Sequence, residues 1–314
     1  MFKWLKAMAI LIAAVLFLAA CSTDAPGSGD AGEGEEGDGD NSVTVGFSVS
    51  TLNNPFFVSL RDGTELAAKE AGFDIITSDA QDDPTTQLSD IEDMLQQNID
   101  VLLINPVDSE AVVSAVELAN EAGVPVITVD RSADGGEVVT HVASDNVAGG
   151  EMAGEYIVSQ LEEQGKLVEI EGVPGASATR ERGEGFHNVI DKMNDLEMVA
   201  NQTANFDRTE GLTVMENILQ GTEKIDAVFA HNDEMALGAL EAIESAGLSE
   251  DIIVVGFDAI DDAVKAVEDG TLDATIAQQP KLIGEEAVKA AQKIVNGDEV
   301  ERTIPVELEL VTNN

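Results

Sequence analysis

The sequence predicts an α/β fold built on two doubly wound, mostly parallel sheets. Three observations carry that prediction. From Val43 onward, short apolar runs rich in β-branched residues alternate with stretches whose apolar residues recur at a period of 3.6. The alternation starts over near Val147. Polar and charged residues stand just past the apolar runs, at the carboxyl ends where the loops of an open α/β sheet gather around a ligand.

In the first half, strand 43–49 leads to helix 55–71, strand 73–78 to helix 84–97, and strand 100–104 to helix 109–122; strands 125–129 and 138–143 follow. Pro55 suits the first turn of its helix, where the missing N–H is no loss. In the second half, helix 147–163 leads to strand 167–171, helix 179–193 to strand 198–204, and helix 208–220 to strand 227–230. Helix 233–246 then leads to strand 252–255, and helix 259–268 to strand 274–277. A long helix, 283–295, and a single last strand, 306–311, close the pattern. The halves lack a Gly/Ser-rich linker, so they are expected to be joined by short crossings that suit a hinge.

Composition narrows the partners. The chain has 314 residues, 44% of them hydrophobic, enough for two domains with a sizeable core. Its formal charge is −45, which argues against nucleic acid and against an anionic lipid surface, since both need clustered Lys and Arg. Acids spread over helix faces as well as a linker suggest a solvated surface tuned to high salt or high external pH. One cysteine, Cys21, rules out an intrachain disulfide.

Residues 1–20 read as a signal peptide, with Lys3 and Lys6 ahead of an apolar run from Ala7 to Leu18 that is short for a membrane span. Leu18-Ala19-Ala20-Cys21 resembles a bacterial lipobox. That resemblance implies cleavage before Cys21 and lipid on its sulfur, with two acyl chains giving a stable anchor. Residues 21–42 read as the lipidated Cys and an acidic flexible tether: seven acids are spaced by six glycines between Ser22 and Ser42. A coil of that length spans roughly 25 Å.

The turn Ser50-Thr-Leu-Asn-Asn-Pro-Phe-Phe57 joins the first strand to its helix and offers a hydroxyl, two amides and two adjacent rings. That mixture suits the apolar face and hydroxyl rim of a sugar, and equally a helix cap with two core phenylalanines. Past later strands stand Asn105, Asp130-Arg131, Phe206, Asn232 and Phe257-Asp258, with Arg180 and Arg182 at a helix start. Asp130 and Arg131 alone would read as a structural ion pair; charged and planar groups recurring at strand ends in both halves point to a binding cleft. His141, His187 and His231 are scattered and read as surface or core histidines. The pattern contains no nucleophile–base spacing, metal cluster or phosphate loop, so no catalytic residue, metal or cofactor is expected.

In order along the chain, several segments resemble the periplasmic sugar-binding protein family, in its ribose-binding branch. They are Ser50 to Phe57, Leu103-Ile-Asn-Pro106, Pro125-Val-Ile-Thr-Val-Asp-Arg131, Ala143-Ser-Asp-Asn146, Arg180-Glu-Arg-Gly-Glu-Gly-Phe186, Phe206-Asp-Arg208, Asn232 to Ala239, Val255-Gly-Phe-Asp258 and Ala274-Thr-Ile-Ala-Gln278. The resemblance implies two Rossmann-like lobes of the periplasmic-binding-protein type I architecture, joined by a three-crossing hinge. It implies a first lobe of residues 43–144 plus about 279–304 and a second of 145–278 plus about 305–314. The ligand residues it implies are Ser50, Asn54, Phe56, Phe57, Asn105, Asp130, Arg131, Arg182, Phe206, Asn232, Phe257, Asp258 and Gln278, with two phenylalanines from each lobe sandwiching the sugar. The implied role is binding D-ribose outside the cytoplasm, on the outer face of the cell membrane, as a monomer. It would deliver the sugar to the permease of a sugar ABC importer, with a chemoreceptor as a further partner.

Other readings stay in the same class with another ligand (allose, another pentose, a furanosyl autoinducer) or leave it. A sugar-responsive repressor would need a basic helix-turn-helix before residue 43, where a signal and an acidic tether lie. A pentose-acting enzyme could pair Asp130 with Asp258 as acid and base, but no activated nucleophile or cofactor loop accompanies them.

Overall fold

The computed structural model describes residues 42–313; the expected signal peptide, Cys21 and nearly all of the tether lie outside them. The first half runs β1 (Thr44–Val49), α1 (Pro55–Ala71), β2 (Asp74–Asp79), α2 (Pro84–Gln96), β3 (Val101–Ile104), α3 (Val113–Glu121), β4 (Val126–Val129) and β5 (Thr140–Ser144). The second runs α4 (Asn146–Gln160), β6 (Gln164–Glu171), α5 (Ser177–Ile190), β7 (Asp195–Thr203), α6 (Arg208–Gly221), β8 (Ala227–Ala230), α7 (Asp233–Ser245), β9 (Ile253–Asp258), α8 (Asp261–Glu268) and β10 (Ala274–Ala277). Helix α9 (Pro280–Val295) and strands β11 (Thr303–Val306) and β12 (Glu309–Thr312) complete the chain.

Two six-stranded sheets result, ordered β11-β5-β4-β3-β1-β2 and β12-β10-β9-β8-β6-β7. Every pairing is parallel except β12 with β10. Strands β3, β4 and β8 are buried along their whole length, as parallel strands covered on both faces must be, which is why they read as unbroken apolar runs. In each sheet the order reverses beside the first strand of its half, β1 and β6, and the carboxyl ends there open onto the same cleft. The lobes are joined by three crossings, from β5 to α4, from β10 to α9 and from β11 to β12.

The helix that enters the cleft starts where its cap dictates. Asn54 is extended, its side chain accepts from the Phe56 N–H at 2.9 Å, and Pro55 follows at the first helical position. Helices α4 and α5 lie backbone to backbone: a Cβ on Gly150 would land on the Arg182 carbonyl oxygen, and one on Gly185 on that of Val147. That close approach fixes the turn of α5 that carries Arg182.

Two elements differ from the sequence reading. The single last strand, 306–311, is two strands in different sheets: β11 pairs with β5 and β12 with β10, and the chain crosses between lobes at Glu307-Leu308. Its continuous apolar alternation conceals a change of partner. The third helix begins at Val113 and not Ser109, because the Asp108 carboxylate takes the N–H groups of Glu110 and Ala111 in a turn, while the Ser109 hydroxyl is engaged by the other lobe.

Candidate functional site

The lobes meet along a rim of hydrogen bonds. Ser109 N–H donates to the Gly175 carbonyl at 2.9 Å, Ser132 N–H to the Ser177 hydroxyl at 2.9 Å, and Arg180 pairs with Asp134 at 2.8 Å. Within that rim a small, nearly filled cavity is lined by Asn54, Phe56, Phe57, Asp130, Arg131, Ala178, Arg182, Phe206, Asn232, Asp258 and Gln278. Strand ends and helix starts supply nearly all of them. Asp130 and Arg131 follow β4, Asp258 ends β9, and Gln278 follows β10. Asn232 caps α7, and Phe206 sits in the loop after β7.

The backbone is strained where it aims these groups. Asp130, Phe206 and Asp258 adopt positive φ of 63°, 61° and 119°, at a cost on the order of 1 kcal/mol or more each. Such strain persists only where surrounding structure enforces it. Here it turns three side chains toward one cavity.

Four charged groups, Asp130, Arg131, Arg182 and Asp258, are each no more than 5% exposed. Arg182 Nη1 lies 3.8 Å from Asp258 Oδ1, and Arg131 Nε lies 3.9 Å from Asp130 Oδ2, so each Arg faces an Asp at the outer limit of an ion pair. Arg182 is otherwise held by Asn146 Oδ1 at 2.9 Å from Nε, by the His231 carbonyl, and by the Phe257 ring 3.8 Å beneath its guanidinium carbon. The Arg131 guanidinium stands between the rings of Phe57 (4.9 Å) and Phe206 (5.1 Å), one from each lobe. Phe56 and Phe57 meet edge to face, 5.2 Å apart at 85°. Burial raises Asp130 and lowers both arginines from their ordinary values, and it pushes Asp258 up to about 7 against the pull of Arg182.

Asp130 Oδ1, Arg131 Nε and Gln278 Oε1 are buried without a hydrogen-bond partner among the described residues. Leaving such groups unmade is costly. A molecule with hydroxyls around its edge would satisfy acceptors and a donor together.

Ten of the thirteen ligand residues implied by the resemblance line this cavity; Ser50, Asn105 and Phe257 stand behind its wall. Asn105 accepts from Ser50 N–H at 3.1 Å and donates to Asp130 Oδ2 at 3.2 Å, orienting that carboxylate. The Ser50 hydroxyl is buried without a partner among the described residues. Phe257 is fully buried against Gly149, where a Cβ would come within 2.6 Å of its ring; it seats Arg182 instead of walling the cleft. Two participants are added to the sequence-derived set. Asn146 orients Arg182, and its place at the helix start just past β5 was the available signal. Ala178 carries no chemical signature.

The chain matches the model of the periplasmic binding protein domain over residues 45–299. The ribose import binding protein RbsB of Bacillus subtilis is 54% identical over 308 residues, covering 98% of this chain and 99% of that one. The ribose import binding protein RbsB of Escherichia coli is 50% identical over 268 residues, covering 85% and 90%. Among solved structures, an ABC transporter solute binding protein from Bacillus halodurans with bound myo-inositol superposes with a TM-score of 0.83 at 37% identity, covering 88% of this chain and 96% of its own. The chain belongs to the periplasmic binding protein family, as a substrate-binding component of a sugar ABC importer.

Proposed function

We propose that this protein binds D-ribose in a 1:1 complex between its lobes, turns nothing over, and hands the sugar to the permease of an ABC importer. The observation that carries the reading is the set of buried atoms on Asp130, Arg131 and Gln278, without hydrogen-bond partners among the described residues, on residues that line one small cavity between aromatic side chains. Relatives at about half identity named for ribose import choose ribose among the polyols that could satisfy them. Ligand groups from both lobes make affinity and closure one equilibrium: the sugar favours the closed form only by its extra contacts there. A permease, and a chemoreceptor if one is engaged, would read that closed shape. The protein works as a monomer with residues 43–144 and about 279–304 as one lobe, and residues 145–278 and about 305–314 as the other.

Calorimetric titration against a panel of monosaccharides tests the ligand. Heat with ribose at a 1:1 ratio is expected; heat with a hexose, allose or another pentose and none with ribose would replace the ligand while keeping the class. The same titration reads a proton. Asp258 holds its proton up to about pH 7 in the folded protein, so folding loses stability as its carboxylate ionises between its lower unfolded value and that pH. Sugar hydroxyls donating to the carboxylate favour the ionised form, so binding near neutral pH should expel up to about half a proton per ribose. Binding heats that do not vary with the buffer's ionisation enthalpy would contradict this.

We also propose that the protein is held on the outer face of the cell membrane through lipid on Cys21. The supporting feature is the run of small residues before that cysteine at the end of an apolar leader. Cys21→Ser should release the protein to the medium or stall its processing. Mass spectrometry that finds an unmodified Cys21 in membrane-bound protein would remove the anchor from the account.

A further inference from the structure

Behind the cleft, on the side away from the sugar cavity, a buried carboxylate and two histidines form a hydrogen-bonded line that ends at Arg182. Glu169 lies in β6 with its side chain fully buried. A carboxylate there needs partners, because an unpaired buried charge is costly. It has three. His231 Nε2 stands 2.9 Å from Oε1, while His187 Nε2 at 3.1 Å and Asn201 Nδ2 at 2.6 Å stand on Oε2. The Nε2 of His231 faces a carboxylate and therefore carries the proton. His187 is the outer end of the line: it is half-exposed, and its Nδ1 meets Asp191 at 3.1 Å.

Both histidines act on Arg182. The His231 ring is fixed by Glu169 on one side of the chain, and its own carbonyl accepts from Arg182 Nη1 on the other. His187 lies on α5 five residues beyond Arg182, so its bond to Glu169 holds that helix in rotation. Gly183, next to Arg182, lies over the pair: a Cβ there would stand 3.4 Å from Glu169 Oε1 and 3.5 Å from His231 Cε1. Glu169, in β6, is thus tied to Arg182 through His231 at the end of β8 and through His187 on α5.

We infer that Glu169, His231 and His187 are positioning residues for Arg182, and that proton uptake at His187 tightens the grip on the ligand. The inference rests on the reading of Arg182 as a ligand contact. The groups facing His187 are Asp191 on its own helix, Glu169 on β6 and the neutral Asn201 on β7, which also bonds Glu171. Burial lowers the His187 pKa, but Asp191 and Glu169 outweigh it and hold the imidazole above its ordinary value. Its ionic hold on Glu169 is therefore complete below about pH 6.5 and is lost as the pH rises through the raised value.

The test is ribose titration from about pH 5.5 to about pH 8.5 on the unmodified protein, His187→Gln, Glu169→Gln, His231→Gln and His231→Leu, with melting temperature followed alongside. Asp258 titrates in the same range in every variant, so the difference between profiles reports His187. The unmodified protein should gain on His187→Gln by about threefold or more on acidification, and Glu169→Gln should lose about tenfold at the alkaline end, the scale of one hydrogen bond to a charged group, and more at the acidic end where the ionic hold is missing. His231→Gln, whose amide can still donate to Glu169, should lose less than His231→Leu. Parallel profiles for the unmodified protein and His187→Gln would overturn the inference. So would a Glu169→Gln variant that melts earlier yet keeps its ribose affinity. Absence of ribose binding by the unmodified protein at every pH would instead overturn the ligand reading.

Discussion

Arg182→Ala is expected to weaken ribose binding by about thirtyfold to a hundredfold, the scale of a lost hydrogen bond to a charged group at about 2–3 kcal/mol. Arg182 is the most heavily braced side chain in the cleft, fixed by Asn146, by the His231 carbonyl and by the face of Phe257. Its remaining donor capacity is held in place before the ligand arrives, so little ordering is left to oppose binding. Removing it also takes away the positive charge that opposes the protonation of Asp258. That carboxylate should then stay neutral at pH 7, which limits the loss of stability and keeps the variant folded. Arg182→Lys should fall between the two, since an ammonium restores charge without the fork that engages Asn146 and the ligand together. Asp130→Ala should cost about tenfold or more for the same reason, Asp130 Oδ1 being a buried acceptor without a partner among the described residues. Calorimetry with a parallel melting curve checks each. Affinity within threefold of the unmodified protein for Arg182→Ala would remove it from the ligand set.

Stability should rise with sodium chloride up to about molar concentration, while ribose affinity changes little. Setting aside Lys3, Lys6 and the seven tether acids changes the formal −45 to −40 on the folded region. Carboxylates such as Glu70, Glu92, Asp93, Glu216 and Glu241 are exposed to solvent and repel one another. The Debye length falls from ~30 Å at 0.01 M to ~3 Å at 1 M, which relaxes that repulsion. The charged groups of the cleft are buried and much less screened, and the sugar is neutral. The Arg180–Asp134 pair across the rim is exposed and will weaken, but an exposed pair contributes little, so its loss should shift affinity by less than about fivefold. A melting temperature flat in salt would mean the acidic composition is no salt adaptation. A steep fall of affinity would point to a charged ligand.

The features legible in the sequence were those that a parallel sheet writes locally. Val101–Ile104 and Ala227–Ala230 read as strands because strands buried on both faces are continuously apolar. Asp130 and Asn232 stood out because polar residues directly follow such runs. Side-chain direction at those ends was not legible. Phe206 and Phe257 look alike in sequence, but the first sits at positive φ in a loop and lines the cavity, while the second lies within β9 and packs under Arg182. Asn146 could not be assigned to Arg182 without knowing that α4 and α5 touch. The division of the last strand was hidden because Val306, Leu308 and Leu310 keep one alternation across two sheets.

The return of α9 and β11 to the first sheet sets the order in which the molecule can mature. Strand β11 pairs residue 303 with residue 141, so the first lobe closes its sheet only after the whole second lobe has been synthesised. Until then β5 is a bare edge, open to pairing with another chain. The N-terminal unit cannot complete its sheet first, as domains made in order along the chain usually do. Contacts so distant along the chain form slowly, which lengthens the time the polypeptide stays extended. The connectivity thereby ties completion of the first lobe's sheet to completion of the second lobe.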